Sequence, residues 1–277
     1  MFRTLLHWYG DHAGTVFAVS LVAALVGERA VWLVRRRRVD VVGDVSSVLS
    51  GGAFLVAKAV MARLVMLSLS VAVYERFRLF DLDLGNPLVW IAVFVARDAI
   101  YYGVHRAEHR VRVLWASHQV HHSPETIGFW TAVRVPWMEA LYKPWLGLWV
   151  PLVGFHPAAF VALDALAAII GQFQHTEAWR RRTWLDAVFV TPSAHRVHHG
   201  SNQAYLDKNF GAVFSVWDRL FGTYQPETEP VRYGLVGGHG LRTVDEVLAG
   251  GYPDLWSAVR RLTGTRARMR HLLAPPA

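Results

Sequence analysis

Four long apolar runs dominate the first 170 residues. The first, Thr15 to Val34, is broken only by Glu28 and Arg29. About 20 helical residues cross a hydrocarbon core of about 30 Å, so this run is long enough to span a bilayer. The second, Val45 to Val73, contains only Lys58 and Arg63, and the third, Pro87 to Val104, holds Arg97 and Asp98. The fourth, Ala140 to Ile170, is interrupted by Lys143, Pro144, Pro151, His156, Pro157 and Asp164. Its prolines predict two shorter segments, a hairpin or re-entrant pair, rather than one rod. The pattern reads as an all-α integral membrane protein with about four membrane-embedded helical segments. A soluble helical protein with buried core helices is the alternative.

Arg35, Arg36, Arg37 and Arg38 follow the first run. A signal peptide carries its charges before the apolar stretch, so the first run is expected to be a retained helix. The positive-inside rule puts the four arginines in the cytoplasm. The first helix then runs inward, the second outward and the third inward again, and the 140–170 hairpin dips in and returns. This multi-pass threading brings every histidine cluster to the cytoplasmic face.

Composition narrows the class. The 277 residues are 53% hydrophobic and only 18% charged, with a net charge of +8. That is too apolar for a disordered chain, and no recognised module surrounds the charges, so no nucleic-acid partner is expected. The absence of cysteine excludes disulfides, thiolate metal sites, iron–sulfur clusters and a cysteine nucleophile. No repeat, low-complexity block or linker divides the chain, so residues 1–277 read as a single domain. Its tail, 227–277, is rich in Gly, Pro and Arg, with a short helix expected at Val244 to Ala249. The basic stretch Arg260 to Arg270 suits a solvated or phospholipid-facing edge.

The chemistry sits in the histidines, of which there are 14. His105-Arg-Ala-Glu-His109 is an H-x-x-x-H, whose two imidazoles share one face of a helix. His118-Gln-Val-His121-His122 is an H-x-x-H-H, in which all three rings can converge on one helix face. His195-Arg-Val-His198-His199 repeats that spacing, and His175 stands alone after the last apolar run. Two H-x-x-H-H motifs by accident come to roughly one chance in a thousand at this histidine frequency. His7, His12, His156, His239 and His271 are read as ordinary core or surface residues.

Nine gathered imidazoles compete for few acceptors when neutral and repel when protonated. A bound cation removes both problems. First-row ions take about four to six ligands, so nine suit two ions with positions left for water or dioxygen. Iron there serves dioxygen activation; zinc serves hydrolysis. Three readings stand: a lipid oxygenase, a di-zinc lipid hydrolase, and a membrane metal-binding or transport protein. No G-x-S-x-G nucleophile elbow supports covalent acyl transfer. The absence of paired repeats disfavours a transporter.

The ordered set of boxes resembles the fatty acid hydroxylase/sterol desaturase superfamily of membrane di-iron oxygenases, from about Leu88 to Tyr224. Thr191-Pro-Ser-Ala-His195-Arg-Val-His-His-Gly200, Lys208-Asn-Phe-Gly211 and Trp217-Asp-Arg-Leu-Phe-Gly-Thr223 look like the family's third region. Trp115-Ala-Ser-His118-Gln-Val-His-His-Ser123 and Gln174-His-Thr176 look most like its alkylglycerol monooxygenase branch. The resemblance implies a helical cap over the membrane helices and two iron ions held by His105, His109, His118, His121, His122, His175, His195, His198 and His199. It also implies a sterol, ether-lipid or fatty acyl substrate, hydroxylated or desaturated. No fused haem domain is visible, so the electrons are expected from a separate donor protein or a reduced small molecule.

Further residues are singled out around the boxes. Asp98 lies two helical turns before His105 and is expected to orient a ligand imidazole, with an ion pair to Arg97 or Arg106 as the ordinary alternative. Glu108 and Glu177 flank ligands and either share that part or lie on the surface. Asn209 approaches a metal through water or caps a loop. Trp130, Arg134, Trp137 and Tyr142 mark where a substrate would enter.

Overall fold

The computed structural model describes residues 21–34, 40–179, 183–238 and 240–276. His7, His12, the first residues of the Thr15–Val34 run, the four-arginine segment and His239 lie outside the described residues. The rest of the first run is helical over residues 21–34 (α1).

The second run is helical throughout, as α2 (Val41–Met61), a π-helical turn (Ala62–Met66) and α3 (Leu67–Phe77). Asp40 starts α2 by accepting a hydrogen bond from the Gly43 amide. The third becomes α4 (Pro87–Arg110), capped by Asn86 with Pro87 in the first turn, and continues past the apolar run to carry the first histidine box on the same helix. Val111, in an extended conformation, breaks it, and α5 (Arg112–His122) folds back alongside with the second box.

The fourth run is broken as the prolines predicted, but unequally. Two short helices, α7 (Glu139–Leu146) and α8 (Trp149–Val153), precede α9 (Pro157–Gln174), which is long enough to span by itself. Gly154 makes the turn at φ 119°, where an added Cβ would lie 2.1 Å from the Phe80 carbonyl oxygen. Among the described residues α2, α4 and α9 are therefore the helices long and apolar enough to cross a membrane.

Charges that interrupt these runs pair with one another. Asp164 on α9 accepts from Arg97 on α4 at 2.8 Å and from Lys58 on α2 at 3.3 Å, tying the three helices together. At one end Val89 and Val93 pack with Val150 and Phe155. At the other, the C-terminal turns of α4 and the end of α9 deliver His105, His109 and His175. The two helices therefore run parallel.

A compact layer closes over that end. It includes α6 (Phe129–Ala132), a 3₁₀ turn (Trp184–Ala187), α10 (Pro192–His198) with the third box, and α11 (Val216–Leu220). In the tail, α12 (Val244–Ala249) falls at its expected place. The tail is more ordered than its composition suggested. It adds α13 (Tyr252–Arg260) and α14 (Thr265–Leu273), and Leu255 and Val259 bury against Ala116 of α5. Gly250, at φ 58°, allows that approach: a Cβ there would sit 2.6 Å from the Ala116 oxygen. On α14 His271 and Leu272 are half-buried, and the rest of the helix, arginines included, is exposed.

Candidate metal centre

All nine histidines converge, and they sort into two groups. His105, His109, His118, His122 and His198 form one; His121, His175, His195 and His199 form the other. Within each, one nitrogen per ring lies within 4.8 Å of the rest. The H-x-x-H-H boxes therefore do not converge on a single point. In each, the residues four apart stay together while the residue at i+3 crosses to the other group, so α5 and α10 exchange one histidine each. On a helix, i and i+4 differ by about 40° and i+3 falls about 60° to the other side, which permits the split.

Backbone carbonyls and one carboxylate fix most of the rings. His105 Nδ1 lies 2.9 Å from the Phe210 oxygen, His121 Nδ1 3.2 Å from that of Arg134, His175 Nδ1 2.8 Å from that of Gly171, and His198 Nδ1 3.0 Å from that of Lys208. His118 Nδ1 lies 2.9 Å from Glu139 Oε1. An acceptor at Nδ1 requires the proton there, which leaves a bare lone pair on Nε2. Those Nε2 atoms face one another: His105 to His118 at 3.1 Å and His121 to His175 at 3.2 Å, with no proton between them to share. His195 Nε2 lies 2.9 Å from His175 Nε2 and 3.1 Å from His199 Nε2. Opposed lone pairs in a buried site repel unless a cation sits between them. The Nε2 atoms of His109 and His198 are buried with no hydrogen-bond partner.

Protonation does not relieve this crowding. Burial, reinforced by neighbouring imidazoles, holds His121, His122, His195 and His199 well below the usual imidazole value. Burial lowers His175 to about 4 and, against the pull of the Lys208 carbonyl, His198 to about 3. These six rings are neutral donors at physiological pH, and the donor set fits metal.

Residues 90–223 match the model of the family described as fatty acid hydroxylase. This stretch, a little under half of the chain, is similar to the fatty acid hydroxylase family. That stretch nearly coincides with the Leu88–Tyr224 span of the motif resemblance. The human alkylglycerol monooxygenase is 33% identical over 234 residues, 84% of this chain and 51% of the relative. An ornithine lipid hydroxylase of Rhizobium tropici is 26% identical over 249 residues, 85% of this chain and 74% of the relative. A Delta(7)-sterol 5(6)-desaturase of Aspergillus fumigatus is 26% identical over 186 residues, 63% of this chain and 52% of the relative. The chain spans about half the length of the curated alkylglycerol monooxygenases it matches. No solved structure matches it.

The other singled-out residues surround this centre in different ways. Asp98 is fully buried, but its carboxylate accepts from the Val213 and Phe214 amides and from Trp217 Nε1. It braces the loop after the third box and hydrogen-bonds no imidazole; Arg97 lies 3.9 Å away. Asn209, at φ 56°, is a loop clamp: Nδ2 donates to the Ala194 and Gln225 carbonyls and Oδ1 accepts from the Gln225 amide. Its two neighbours, Lys208 and Phe210, supply the carbonyls that orient His198 and His105.

Glu108 is completely buried rather than at the surface. It accepts from Tyr142 and lies 3.1 Å from Lys143 Nζ and 3.6 Å from His118 Nδ1. Glu177 is half-buried in a cavity with Ser193, Arg196 and Glu227, away from the imidazoles. Arg134 does not mark an entrance: its guanidinium is buried against Ser47, Ser123, Leu241 and Gly43, and only its carbonyl serves the site. Trp130 and Trp137 donate to the Leu25 and Leu248 carbonyls. His156 caps α9 and His271 contacts Arg112, ordinary roles as expected.

Two supporting residues were not read from the sequence. Glu139 takes His118 on one oxygen and Lys143 on the other at 2.5 Å. Burial would raise its pKa, yet Lys143 and His118 bring it down to about 2. No spacing rule links residue 139 to residue 118. Asp218 accepts from the Phe210 and Gly211 amides and so fixes the loop that orients His105. Its signal was the Trp217-Asp-Arg string, quoted for the family without a role for its carboxylate.

Proposed function

We propose that this chain is the oxidising domain of a membrane-bound di-iron oxygenase that hydroxylates or desaturates a lipid, using dioxygen and electrons from a separate donor. The observation that carries it is the pair of histidine groups with opposed Nε2 lone pairs. The nine assigned histidines would hold two ions, five ligands on one and four on the other. The opposed Nε2 atoms, 2.9–3.2 Å apart, are crowded as donors to a shared ion would be, and a five-histidine group exceeds zinc's usual four ligands. Iron in that position supplies dioxygen activation next to an inert C–H bond.

The residues of this chain do the rest. Carbonyls of Arg134, Gly171, Lys208 and Phe210, with Glu139, hold the imidazole protons at Nδ1 and aim Nε2 inward. The buried rings keep bulk water from the reacting centre. Relatives named for alkylglycerol, ornithine-lipid and sterol chemistry support a lipid substrate. Hydroxylation turns C–H into C–OH and releases the second oxygen atom as water; desaturation turns two C–H bonds into a C=C and releases both oxygen atoms as water. Either takes up two protons from solvent. The donor, a protein or a reduced small molecule, supplies the electron pair for that balance. We place the histidine end on the cytoplasmic side, on the charge of the four-arginine segment.

The test is metal content and optical spectra of protein purified without oxygen from iron-sufficient cells. We expect two irons per chain, a spectral change on exposure to air, and a new oxidised lipid in cell extracts that His121→Ala removes. Two exchange-resistant zincs with no oxygen response would move the assignment to hydrolysis, and less than one metal per chain would overturn the site.

A further inference from the structure

Exposed apolar side chains cluster on the layer that covers the histidines. Trp184 is 79% exposed, Leu220 68% and Phe221 52%, and Val188, Phe189 and Val216 are exposed beside them. These residues belong to the 3₁₀ turn and its continuation and to α11, which are joined by the Phe189–Phe214 bridge and by the Ser215 amide on the Val188 carbonyl at 2.9 Å. Their acidic neighbours turn inward: Asp186 and Asp218 are buried. Arg219 is exposed, with its guanidinium donating to the Asp186 carbonyl and lying 3.8 Å over the Tyr224 ring. A surface this apolar, with no outward carboxylate, needs a partner.

Its position on α4 identifies that partner. Phe214 packs edge-on against Phe94 at 5.7 Å, Trp217 donates to Asp98, and Phe221 stacks on Tyr102 at 5.3 Å. The cluster thus lies along α4 from Phe94 to Tyr102, eight residues or about 12 Å of helix, inside the apolar run of a candidate span. Exposed Ile91 and Val95 of α4 continue it downward. We infer that residues 184–189 and α11 form a rim immersed in the bilayer, continuing the lipid-facing surface of α4. Lipid then reaches the level of Tyr102, which Phe221 covers, three residues or about 5 Å of axial rise below His105. The metal centre stands at the level of the leaflet rim rather than in a cap raised above it. The inference rests on the membrane reading proposed above.

The chain has no cysteine, so single-cysteine variants can be spin-labelled with no background thiol. The full chain is reconstituted in phosphatidylcholine/phosphatidylglycerol nanodiscs with label at Trp184→Cys or Leu220→Cys. Ile91→Cys on α4 serves as the membrane reference and Arg266→Cys on α14 as the aqueous one. We expect oxygen to relax the Trp184 and Leu220 labels severalfold more than a water-soluble nickel chelate does, as at Ile91, with the reverse at Arg266. If Trp184 and Leu220 behave like Arg266 while Ile91 does not, the rim is an aqueous surface and the inference fails with the membrane reading intact. Shielding from both reagents with dipolar broadening would assign the patch to a second copy and equally overturn it. Nickel access at Ile91 would overturn the membrane reading itself.

Discussion

Asn209 offers the sharpest test of how the centre is held. Its side chain makes three hydrogen bonds at 2.7–3.0 Å, all to backbone groups of the third box and the 225 region. Asn209→Gly keeps the left-handed backbone and removes all three, a loss of about 1.5–4.5 kcal/mol at about 0.5–1.5 kcal/mol each. Asn209→Ala adds about 1–2 kcal/mol for a Cβ in that conformation. The loosened carbonyls are those of Lys208 and Phe210, which orient His198 and His105, and both rings belong to the five-histidine group. Loss of such support costs about 10–100-fold in metal affinity. The assay is a chelator titration of purified protein, with metal content read beside thermal unfolding. We expect Asn209→Gly to release one metal at about 10–100-fold lower chelator while the second follows the wild-type curve. If both metals stay at wild-type affinity while turnover collapses, Asn209 acts at the reacting centre through water and the clamp argument is refuted. Loss of both in one step would refute its selectivity.

Glu139→Gln should weaken the same group by about 10–100-fold, because His118 loses a carboxylate acceptor; the same titration checks this. Glu108, 3.6 Å from His118 Nδ1, stands ready to substitute, so Glu108→Gln combined with Glu139→Gln should cost more than the sum of the two. A pH series on metal-free protein gives the third expectation. His175 titrates near 4 when folded against the ordinary 6.5, so between those values the unfolded chain binds more protons. Stability is therefore full above about pH 6.5 and is lost as pH falls toward 4, read as a falling denaturation midpoint; a midpoint flat across that window would contradict the buried neutral rings.

Much of this protein is written locally. Apolar runs mark α2, α4 and α9 because a span of lipid needs a fixed length of unbroken helix. The i, i+4 spacings of His105 with His109, His118 with His122 and His195 with His199 survive into the structure, because helix geometry alone puts such pairs on one face. Their partners were not legible. That His121 leaves its box to join His175, and His198 joins His105, depends on α5 and α10 facing each other across the site. The acceptors at Nδ1 were hidden too, since four of the five found are backbone carbonyls, which every residue carries. Asp98 and Asp218 show the same limit. Both are buried acids near the boxes, and only the fold gave Asp218 the loop that orients His105 and Asp98 the brace behind it. Charge misled in the tail, where arginines conceal the stripe of Leu255 and Val259 on α13 that buries against α5. Helical periodicity is a property of neighbours along the chain. The division of nine imidazoles into two groups arises from distant segments meeting, so tertiary packing alone determined it.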